Sequence, residues 1–260
     1  MKNTYWALIL GGSSGLGLAT AKKLASHSYH IIIMHRDRRA AMDEIEKDFD
    51  EIRSYGNELI AMNVDVLNAD KRAAIISDMQ QQLPERHQIK VMIHSVAKGT
   101  LKPMYSENRP TLVDTDFRIT FDAMALSLYD WTKALAMADL FADDARIISF
   151  TSEGNTKALP NYSAVSVAKV ALEALTRSIA LEFAPMGIKA NCIQAGITMT
   201  KSLSMIPEYE KIKENALKRN PQNRLTMPED VANAVYLLTM DEAKWITGTV
   251  IKVDGGESLM

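Results

Sequence analysis

Tyr162 and Lys169 are the residues whose types and spacing most clearly suggest chemistry, and they stand seven residues apart in the stretch "PNYSAVSVAK". A tyrosine hydroxyl can donate a proton, or a hydrogen bond to a developing negative charge. If the stretch is helical, the two side chains lie on one face with Cα atoms about 10.5 Å apart. Val165, four residues before the lysine, cannot transfer a proton. The pair therefore predicts a site whose hydroxyl is displaced along the helix.

The segments that must position this pair are short apolar runs alternating with longer stretches of helical period. The runs are WALIL (6–10), HIIIM (30–34), ELIAMNVDV (58–66), KVMIHS (90–95), ARIISF (145–150), IKANCIQA (188–195) and TVIKVDG (249–255). This alternation predicts an α/β fold with a parallel sheet of about seven strands and helices on both faces. No linker or repeat divides the chain, so we expect a single doubly wound, dinucleotide-binding (Rossmann) domain over residues 1–260.

Three glycines, Gly11, Gly15 and Gly17, follow the first predicted strand in the spacing G-x3-G-x-G. Glycines permit a tight turn and a close approach of the backbone, and free N–H groups at the start of a helix bind phosphate. The position of this loop between a strand and a helix favours a pyrophosphate site over a purely structural turn. The expected cofactor-binding residues of the loop are Gly11, Ser13, Ser14, Gly15, Leu16 and Gly17.

The end of the second predicted strand carries the residues that discriminate between NADPH and NADH. Arg36, Arg38 and Arg39 surround Asp37. Arginines attract the 2′-phosphate of NADPH, whereas a carboxylate accepts hydrogen bonds from the ribose diol of NADH and repels a phosphate. The arginines favour NADPH, with Arg36 as the expected contact. Asp37 could instead cap the following helix or bind a diol.

The glycine spacing, together with the later "YSAVSVAK" and "VDGG", resembles the short-chain dehydrogenase/reductase family over essentially the whole chain. The resemblance implies that Asp65 and Val66 contact the adenine. It also implies that residues after the fourth strand, and the turn after the sixth, line the rest of the cofactor. These residues are Ser95, Val96, Ala97, Ala195, Gly196, Thr198 and Thr200. Two departures from the family pattern are Ala195 in place of a common proline and "HSVA" in place of "NNAG".

In the main branch of this family, a tyrosine four residues before the lysine protonates a ketone, and a serine thirteen residues before that tyrosine holds the oxygen. These positions are Val165 and Ser152 here, so the usual ketoreductase assignment fails. The spacing Y-x6-K resembles the enoyl-acyl-carrier-protein reductase branch instead. There the hydride goes to a carbon remote from the thioester oxygen, and a displaced hydroxyl suits the enolate. The resemblance implies that Tyr162 stabilises the enolate and Lys169 binds the ribose, while Ser152 either touches the thioester or only caps local backbone.

The resulting prediction is an NADPH-dependent enoyl-thioester reductase of fatty acid synthesis that acts on an acyl-carrier-protein or coenzyme A thioester. Asp122, where most family members have asparagine, weakens a ketoreductase assignment further. The alternatives are a carbonyl or 3-oxoacyl-thioester reductase with a reshaped site, and a dinucleotide-binding protein without catalysis. In a predicted substrate-covering segment at about 199–227, apolar residues could close over an acyl chain or pack as ordinary core. They are Met199, Leu203, Met205, Ile206 and Tyr209.

The composition excludes several classes of function. Hydrophobic residues make up 47% of the chain, charged residues 24%, and the net charge is −2, so nothing suggests a nucleic acid or lipid partner. Cys192 is the single cysteine, which rules out an internal disulfide, and no metal site is predicted. The first apolar run is too short for a secretory or membrane segment, so a cytoplasmic protein is expected. The family resemblance implies a homotetramer.

Overall fold

The computed structural model describes residues 5–83, 88–200, 203 and 209–260. Its strands are β1 (Trp6–Leu10), β2 (His30–His35), β3 (Leu59–Asn63), β4 (Ile89–His94), β5 (Phe141–Ser152), β6 (Lys189–Ala195) and β7 (Val250–Val253). They form one sheet in the order β3-β2-β1-β4-β5-β6-β7, and every neighbouring pair is parallel. This arrangement confirms the predicted doubly wound α/β fold, and each predicted apolar run contributes to a strand.

The sheet is covered by helices on both faces. The α-helices of the described residues are α1 (Gly15–Ala25), α2 (Met42–Ser54), α3 (Ala69–Gln82), α4 (Asp114–Phe121), α5 (Ser127–Met137), α6 (Ser163–Glu182), α7 (Tyr209–Arg219) and α8 (Pro228–Thr239). Successive side chains of a strand point to opposite faces. Leu8 and Leu10 of β1 join the core beneath α3, α5 and α6, whereas Ala7 and Ile9 join the core beneath α1, α2 and α8. No helix in the described ranges is long and apolar enough to cross a membrane.

The order of the strands reverses between β1 and β4, and this switch point lies at the carboxyl ends of both strands. Ser95, directly after β4, donates its N–H to the carbonyl of Leu10 at 2.8 Å. Gly11 has a φ of +88°, and a Cβ there would lie 2.4 Å from the carbonyl oxygen of Ser95. Only glycine fits this position, because both the backbone conformation and the contact exclude a side chain. The two loops therefore meet where open α/β sheets bind their ligands.

A π-helical turn, Asp122–Leu126, joins α4 to α5. A π-turn displaces the regular pattern of backbone hydrogen bonds and is frequent at functional sites. The hydroxyl of Ser127 donates to the carbonyl of Ala123 at 2.8 Å, which satisfies one carbonyl of the turn. The side chain of Asp122 is exposed at the start of the turn.

Candidate active site

The hydroxyl groups of Tyr162 and Ser152 lie 3.2 Å apart, within hydrogen-bond distance. The sequence predicts Tyr162 inside the helix that carries Lys169. In the structure it occupies the N-cap position immediately before α6. Asn161, with a φ of +63°, makes the turn that precedes it. The carbonyl of Tyr162 still accepts the N–H of Ser166 at 2.8 Å, so the residue is fixed to the first turn. Burial raises the pKa of the Tyr162 hydroxyl, and the hydrogen bond to Ser152 offsets this only in part.

The short loop after β5 carries both contacts to this tyrosine. Ser152 ends the strand and Glu153–Asn155 form a single 3-10 turn. A Cβ at Gly154 would lie 2.6 Å from Cε1 of Tyr162, so the backbone of Gly154 lies directly against the aromatic ring. The two alternate residues of the loop therefore position one side chain, with Ser152 at its hydroxyl and Gly154 at its ring.

Lys169 lies buried on α6 and donates from Nζ to the carbonyl oxygen of Phe150 at 2.7 Å. Burial lowers its pKa to about 8, because a charged group loses solvation in the interior. An ammonium group has three N–H bonds. Since one is used by Phe150, the group retains the capacity to hold ribose hydroxyls.

Val165 occupies the position four residues before Lys169. It is buried with Met124 and Ala168, and Leu101 and Tyr162 pack against the same cluster. A Cβ at Gly99 would lie 2.7 Å from Cγ2 of Val165, so the loop after β4 lies flat on this side chain. The main-branch tyrosine position is thus filled by apolar contacts.

His94, the last residue of β4 and the first of "HSVA", is a polar group of the site region to which the sequence analysis assigns no role. Its Nε2 lies 2.7 Å from Oγ of Ser127, and this hydroxyl already donates to Ala123. The histidine is therefore the donor and carries its proton on Nε2. Burial lowers its pKa to about 3, and the positive charge of Lys169 acts in the same direction. His94 is therefore neutral, and its hydrogen bond links the end of β4 to Ser127, the residue after the π-turn.

The glycine loop and two other predicted segments meet at the switch point. A Cβ at Gly17 would lie 2.1 Å from the carbonyl oxygen of Gly11 and 3.1 Å from Oγ of Ser95. A Cβ at Gly15 would lie 3.3 Å from Cγ2 of Thr200. Ser14 is the extended N-cap residue of α1, and its side chain caps nothing. The amides of the first turn, including those of Gly15, Leu16 and Gly17, therefore lack partners within the helix and suit a pyrophosphate.

A cleft of about 190 Å³ adjoins this loop. It is lined by Gly11, Met34, His35, Arg36, Val64, Asp65, Val66, Leu67, Val96 and Lys98. Arg36 donates to Asp65 at 2.6 Å across one side of it. Burial raises the pKa of Asp65, but hydrogen bonds from the Leu67 N–H and from Arg36 outweigh this and leave the value lowered. The carbonyl of Val66 is held by Nε1 of Trp131 at 2.9 Å. The volume of the cleft, its border at Gly11 and its charged side chains fit the adenosine half of a dinucleotide.

Asp37 neither caps the following helix nor faces this cleft freely. One carboxylate oxygen lies 2.9 Å from Nδ1 of His35, and its backbone N–H and carbonyl bond to the side chain of Asn63. The cap alternative is therefore wrong: the N-cap residue of α2 is Ala41, after a 3-10 turn at Arg39–Ala41. Arg36, which lines the cleft, is exposed, and so are Arg38, Arg39 and Ala97, which are not among its lining residues.

The turn after β6 contains the remaining predicted cofactor residues. Ala195 ends β6, and the N–H of Ile197 donates to the carboxylate of Glu257 at 3.0 Å. The hydroxyl of Thr198 donates back to the carbonyl of Gly196 at 2.9 Å. In the segment predicted to cover the substrate, Met199 is exposed and Leu203 is buried. Tyr209 starts α7. Met205 and Ile206 lie outside the described residues.

Comparison with known proteins places the chain in a family. A family model described as "Enoyl-(Acyl carrier protein) reductase" matches residues 11–258. The chain belongs to this family of short-chain dehydrogenases/reductases. It is 29% identical over 252 residues to an uncharacterized oxidoreductase, YjdA, of Bacillus subtilis, covering 96% of this chain and 95% of the relative. It is 27% identical over 262 residues to the 3-oxoacyl-[acyl-carrier-protein] reductase FabG of Staphylococcus aureus, covering 98% and 99%.

The fold of this oxidoreductase is shared with a solved enoyl-[acyl-carrier-protein] reductase (NADH) from Aquifex aeolicus. The TM-score is 0.83 at 23% identity, and the alignment covers 100% of this chain and 98% of that one. The structural likeness supports the seven-stranded architecture. The relatives carry names for two different reductions, so the distinction between them rests on the geometry around Tyr162.

Several residues around the site have no motif in the sequence. Glu173, one turn after Lys169 on α6, accepts a hydrogen bond from Thr151 at 2.7 Å and another from the side-chain amide of Asn155. Its spacing from Lys169 is the one available signal, because residues four apart share a helix face. Glu153 and Arg219 form an ion pair that no local pattern reveals.

Proposed function

We propose that this oxidoreductase transfers a hydride from NADPH to the carbon–carbon double bond of a trans-2-enoyl thioester. The observation that carries the proposal is the pairing of the Tyr162 and Ser152 hydroxyls, with Val165 buried where a ketoreductase tyrosine would stand. The hydroxyl lies at the far end of the helix segment from Lys169. This placement suits an oxygen that is remote from the carbon receiving the hydride. The family description and the enoyl reductase of Aquifex aeolicus support the same reaction.

The proposed cofactor would be held by three groups of this chain. The first-turn amides of α1 would bind the pyrophosphate, Asp65 and Val66 would border the adenine, and Lys169 would bind ribose hydroxyls. The cofactor supplies the hydride. NADPH is favoured over NADH because Arg36 at the cleft uses only one of its five N–H groups for Asp65 and keeps others for a phosphate, while the carboxylate of Asp37 is engaged by His35. A carboxylate used in this way is a weaker acceptor for a ribose diol.

The chain's own residues would stabilise charge on the substrate. Addition of hydride to the β-carbon leaves negative charge on the thioester oxygen, and two hydroxyl donors stabilise it better than one. Tyr162 would donate a hydrogen bond to this oxygen, and Ser152 would orient Tyr162 or donate a second one. The raised pKa of Tyr162 keeps the phenol protonated and able to donate. Lys169 would hold the ribose and place its positive charge behind the site.

A second candidate is reduction of a 3-oxoacyl thioester, favoured by the retention of Ser152 next to Tyr162. Two hydroxyls that converge at 3.2 Å could also polarise one ketone oxygen. The relative FabG of Staphylococcus aureus is named for that reaction. In this case Tyr162 would take over the proton transfer that Val165 cannot perform.

Initial rates with crotonyl and acetoacetyl thioesters test the proposal, each with NADPH and with NADH. We expect turnover of the crotonyl thioester with NADPH, and a fall of about a hundredfold in Tyr162→Phe, typical for loss of one oxyanion donor. Tyr105→Phe is the matched control, because that hydroxyl is exposed and contacts only Glu107 among the described residues. Turnover of the acetoacetyl thioester alone would establish the second candidate. Binding of NADPH without turnover of either would leave a dinucleotide-binding protein.

The proposed thioester would be carried by acyl carrier protein or coenzyme A, and the proposed assembly is a homotetramer. Val167 and Val170 support the assembly, because both are apolar residues of α6 that are about half exposed. Burying such a face against a second copy would gain free energy from apolar area. Sedimentation equilibrium of the full chain measures the mass directly.

A further inference from the structure

The loop of residues 151–155 is anchored on both sides in an alternating pattern. Ser152 and Gly154 contact Tyr162, as described above. The other three residues of the loop bond to other parts of the chain: Thr151 and Asn155 bond to Glu173 of α6, and Glu153 bonds to Arg219. The position of the Tyr162 hydroxyl is therefore set by two anchors outside the site.

The Glu153 anchor is a charge-assisted contact to a different part of the chain. Nη2 of Arg219 lies 2.6 Å and 2.7 Å from the two carboxylate oxygens of Glu153, and Lys157 lies 2.5 Å from the same carboxylate. Burial raises the pKa of Glu153, but the bonds from Arg219 and Lys157 outweigh it and lower the value. The carboxylate is thus ionised and mostly shielded from water, where such a contact is stronger than on the surface.

Arg219 joins three segments that are far apart in the sequence. It is the last residue of α7, a helix within the segment predicted to cover the substrate. Besides Glu153, it donates from Nη2 to the carbonyl of Glu257 at 3.1 Å and from Nε to the carbonyl of Met260 at 3.3 Å. The carboxylate of Glu257 in turn accepts the N–H of Ile197, in the turn after β6. One guanidinium group therefore connects α7, the Ser152 loop and the turn that borders the cofactor site.

We propose that Glu153 and Arg219 are positioning residues that fix the Tyr162 hydroxyl against Ser152 and make this geometry depend on the placement of helix α7. Glu153 lies between the two residues that touch Tyr162, so any shift of its carboxylate moves both contacts. A displacement of α7 is transmitted through Arg219 to the loop. Small errors in the position of a catalytic group cost large factors in rate, which gives the ion pair a functional consequence beyond stability.

Fluorine NMR of the 3-fluorotyrosine-labelled full chain gives a readout that does not depend on the substrate. The Tyr162 resonance is assigned by its loss in Tyr162→Phe. We expect this resonance to shift or broaden in Arg219→Gln and in Glu153→Gln, and to stay in place in Arg224→Gln. Arg224 is the matched control because it forms an exposed bidentate ion pair with Asp230 and makes no hydrogen bond to the Ser152 loop among the described residues.

The kinetic test rests on the proposed function and follows from the same variants. In Arg219→Gln we expect kcat on the crotonyl thioester to fall about tenfold, and the Kd of NADPH to change less than about twofold. The loss of kcat in the double variant Arg219→Gln/Glu153→Gln should be smaller than the two single losses combined, because both single variants remove the ion pair that the two residues share. If Arg219→Gln does not fold, Glu153→Gln, which keeps the size of the side chain, provides the same measurements.

Two results would overturn the proposal. One is an unchanged Tyr162 resonance in folded Arg219→Gln and Glu153→Gln, with only the unfolding midpoint lowered. The other is additive loss of kcat in the double variant. If the wild type reduces no enoyl thioester while the resonance moves as expected, the proposed function fails and the positioning role stands. The two proposals are thereby separated.

Discussion

Gly99 lies against Val165 so closely that a Cβ at the glycine would approach Cγ2 of the valine to 2.7 Å. The contact joins the loop after β4 to helix α6 at the position where the main branch of the family has its proton donor. Met124, Ala168 and Leu101 complete the apolar cluster. The change from tyrosine to valine is therefore accompanied by a loop that occupies the freed space, while the hydroxyl beside Ser152 comes from Tyr162 instead.

Val165→Tyr is expected to destabilise the protein without restoring ketone reduction. A tyrosine cannot fit between Gly99 and Met124, and overpacking of this kind costs about 1–3 kcal/mol. Thermal unfolding and rates on acetoacetyl thioester measure the two effects. Val113→Tyr is the control, since Val113 is about half exposed and should tolerate the same change. A stable Val165→Tyr enzyme with new ketone reductase activity would contradict this explanation of the site.

Arg36→Ala should weaken NADPH binding selectively. Hydrogen bonds to a charged group contribute about 1.5–3 kcal/mol, so we expect the Kd of NADPH to rise about tenfold or more while that of NADH changes little. Isothermal titration calorimetry of both nucleotides measures this. Arg53→Ala is the control, because Arg53 pairs with Glu46 and Asp50 on α2, outside the cleft. An equal rise for both nucleotides would show that Arg36 does not read the 2′-phosphate.

The fold and the glycine loop are predictable from sequence because both depend on local patterns. Continuous apolar runs such as "WALIL" arise wherever a strand is buried on both faces. The strain at Gly11 and the packing at Gly17 leave no other residue type possible, so the spacing is visible in the sequence. The sequence predicts that Tyr162 and Ser152 belong to the same site, but it does not predict the hydrogen bond between their hydroxyl groups. The start of α6 after Tyr162 does have a local signal, because proline and asparagine favour the second and third positions of a turn: Pro160 and Asn161, with a φ of +63° at the asparagine, form a turn that the N–H of Tyr162 closes on the carbonyl of Leu159.

The anchoring of the site is beyond sequence reasoning because it depends on contacts between distant residues. Glu153 and Arg219 are 66 residues apart, and each side chain has many possible partners. Asp37 illustrates the same difficulty at short range: its carboxylate turns to His35 rather than to a helix terminus. The pattern of residues at the end of β2 cannot specify this orientation. Burial of His35 beside Phe49 decides it, and burial follows from the completed core.

The pH dependence of activity should reflect Lys169. Because burial lowers its pKa to about 8, the ammonium group loses its proton as the pH rises through this value. We expect kcat/KM, which reports groups of the free enzyme, to fall above about pH 8 as the positive charge behind the site is lost. In Lys169→Arg the residual activity should lack this limb, since a guanidinium remains charged. A wild-type profile that stays level to about pH 9.5, roughly 1.5 units above the expected midpoint, would argue against a role for the charged lysine.

The pH dependence of stability should reflect His94. Its pKa is about 3 in the folded state and 6.5 when unperturbed, so between these values the unfolded chain binds the additional proton. The free energy of unfolding therefore falls as the pH is lowered through 6.5, by up to about 1.4 kcal/mol per pH unit from this group. His94→Gln keeps an N–H donor for Ser127 but does not titrate. Urea unfolding at pH values from about 7 to about 5, a range that spans the unperturbed histidine pKa of 6.5, should give the smaller slope in the variant. Equal slopes would mean that folding does not lower the pKa of His94.

Asp144→Asn should destabilise the fold and leave the reaction unchanged. Asp144 accepts bonds from Arg146 at 2.6 Å, Lys189 at 2.5 Å and Lys90 at 2.9 Å, near the start of β5 and away from Ser152 at its end. Burial raises the pKa of Asp144, but the three cations outweigh it and hold the value far below its usual range.

The loss of stability expected in Asp144→Asn depends on the burial of Arg146 rather than on the burial of Asp144 itself. Arg146 is fully buried, and removing its counter-charge leaves an unpaired cation in the interior, at a cost of about 3 kcal/mol. Asp114→Asn is the control: its ion pair with Arg118 is exposed at 3.5 Å and contributes less than about 0.5 kcal/mol. Urea unfolding at pH 7 measures both variants, and rates per folded molecule should match the wild type. If Asp144→Asn were no less stable than Asp114→Asn, the ion pairs of Asp144 would not stabilise the fold.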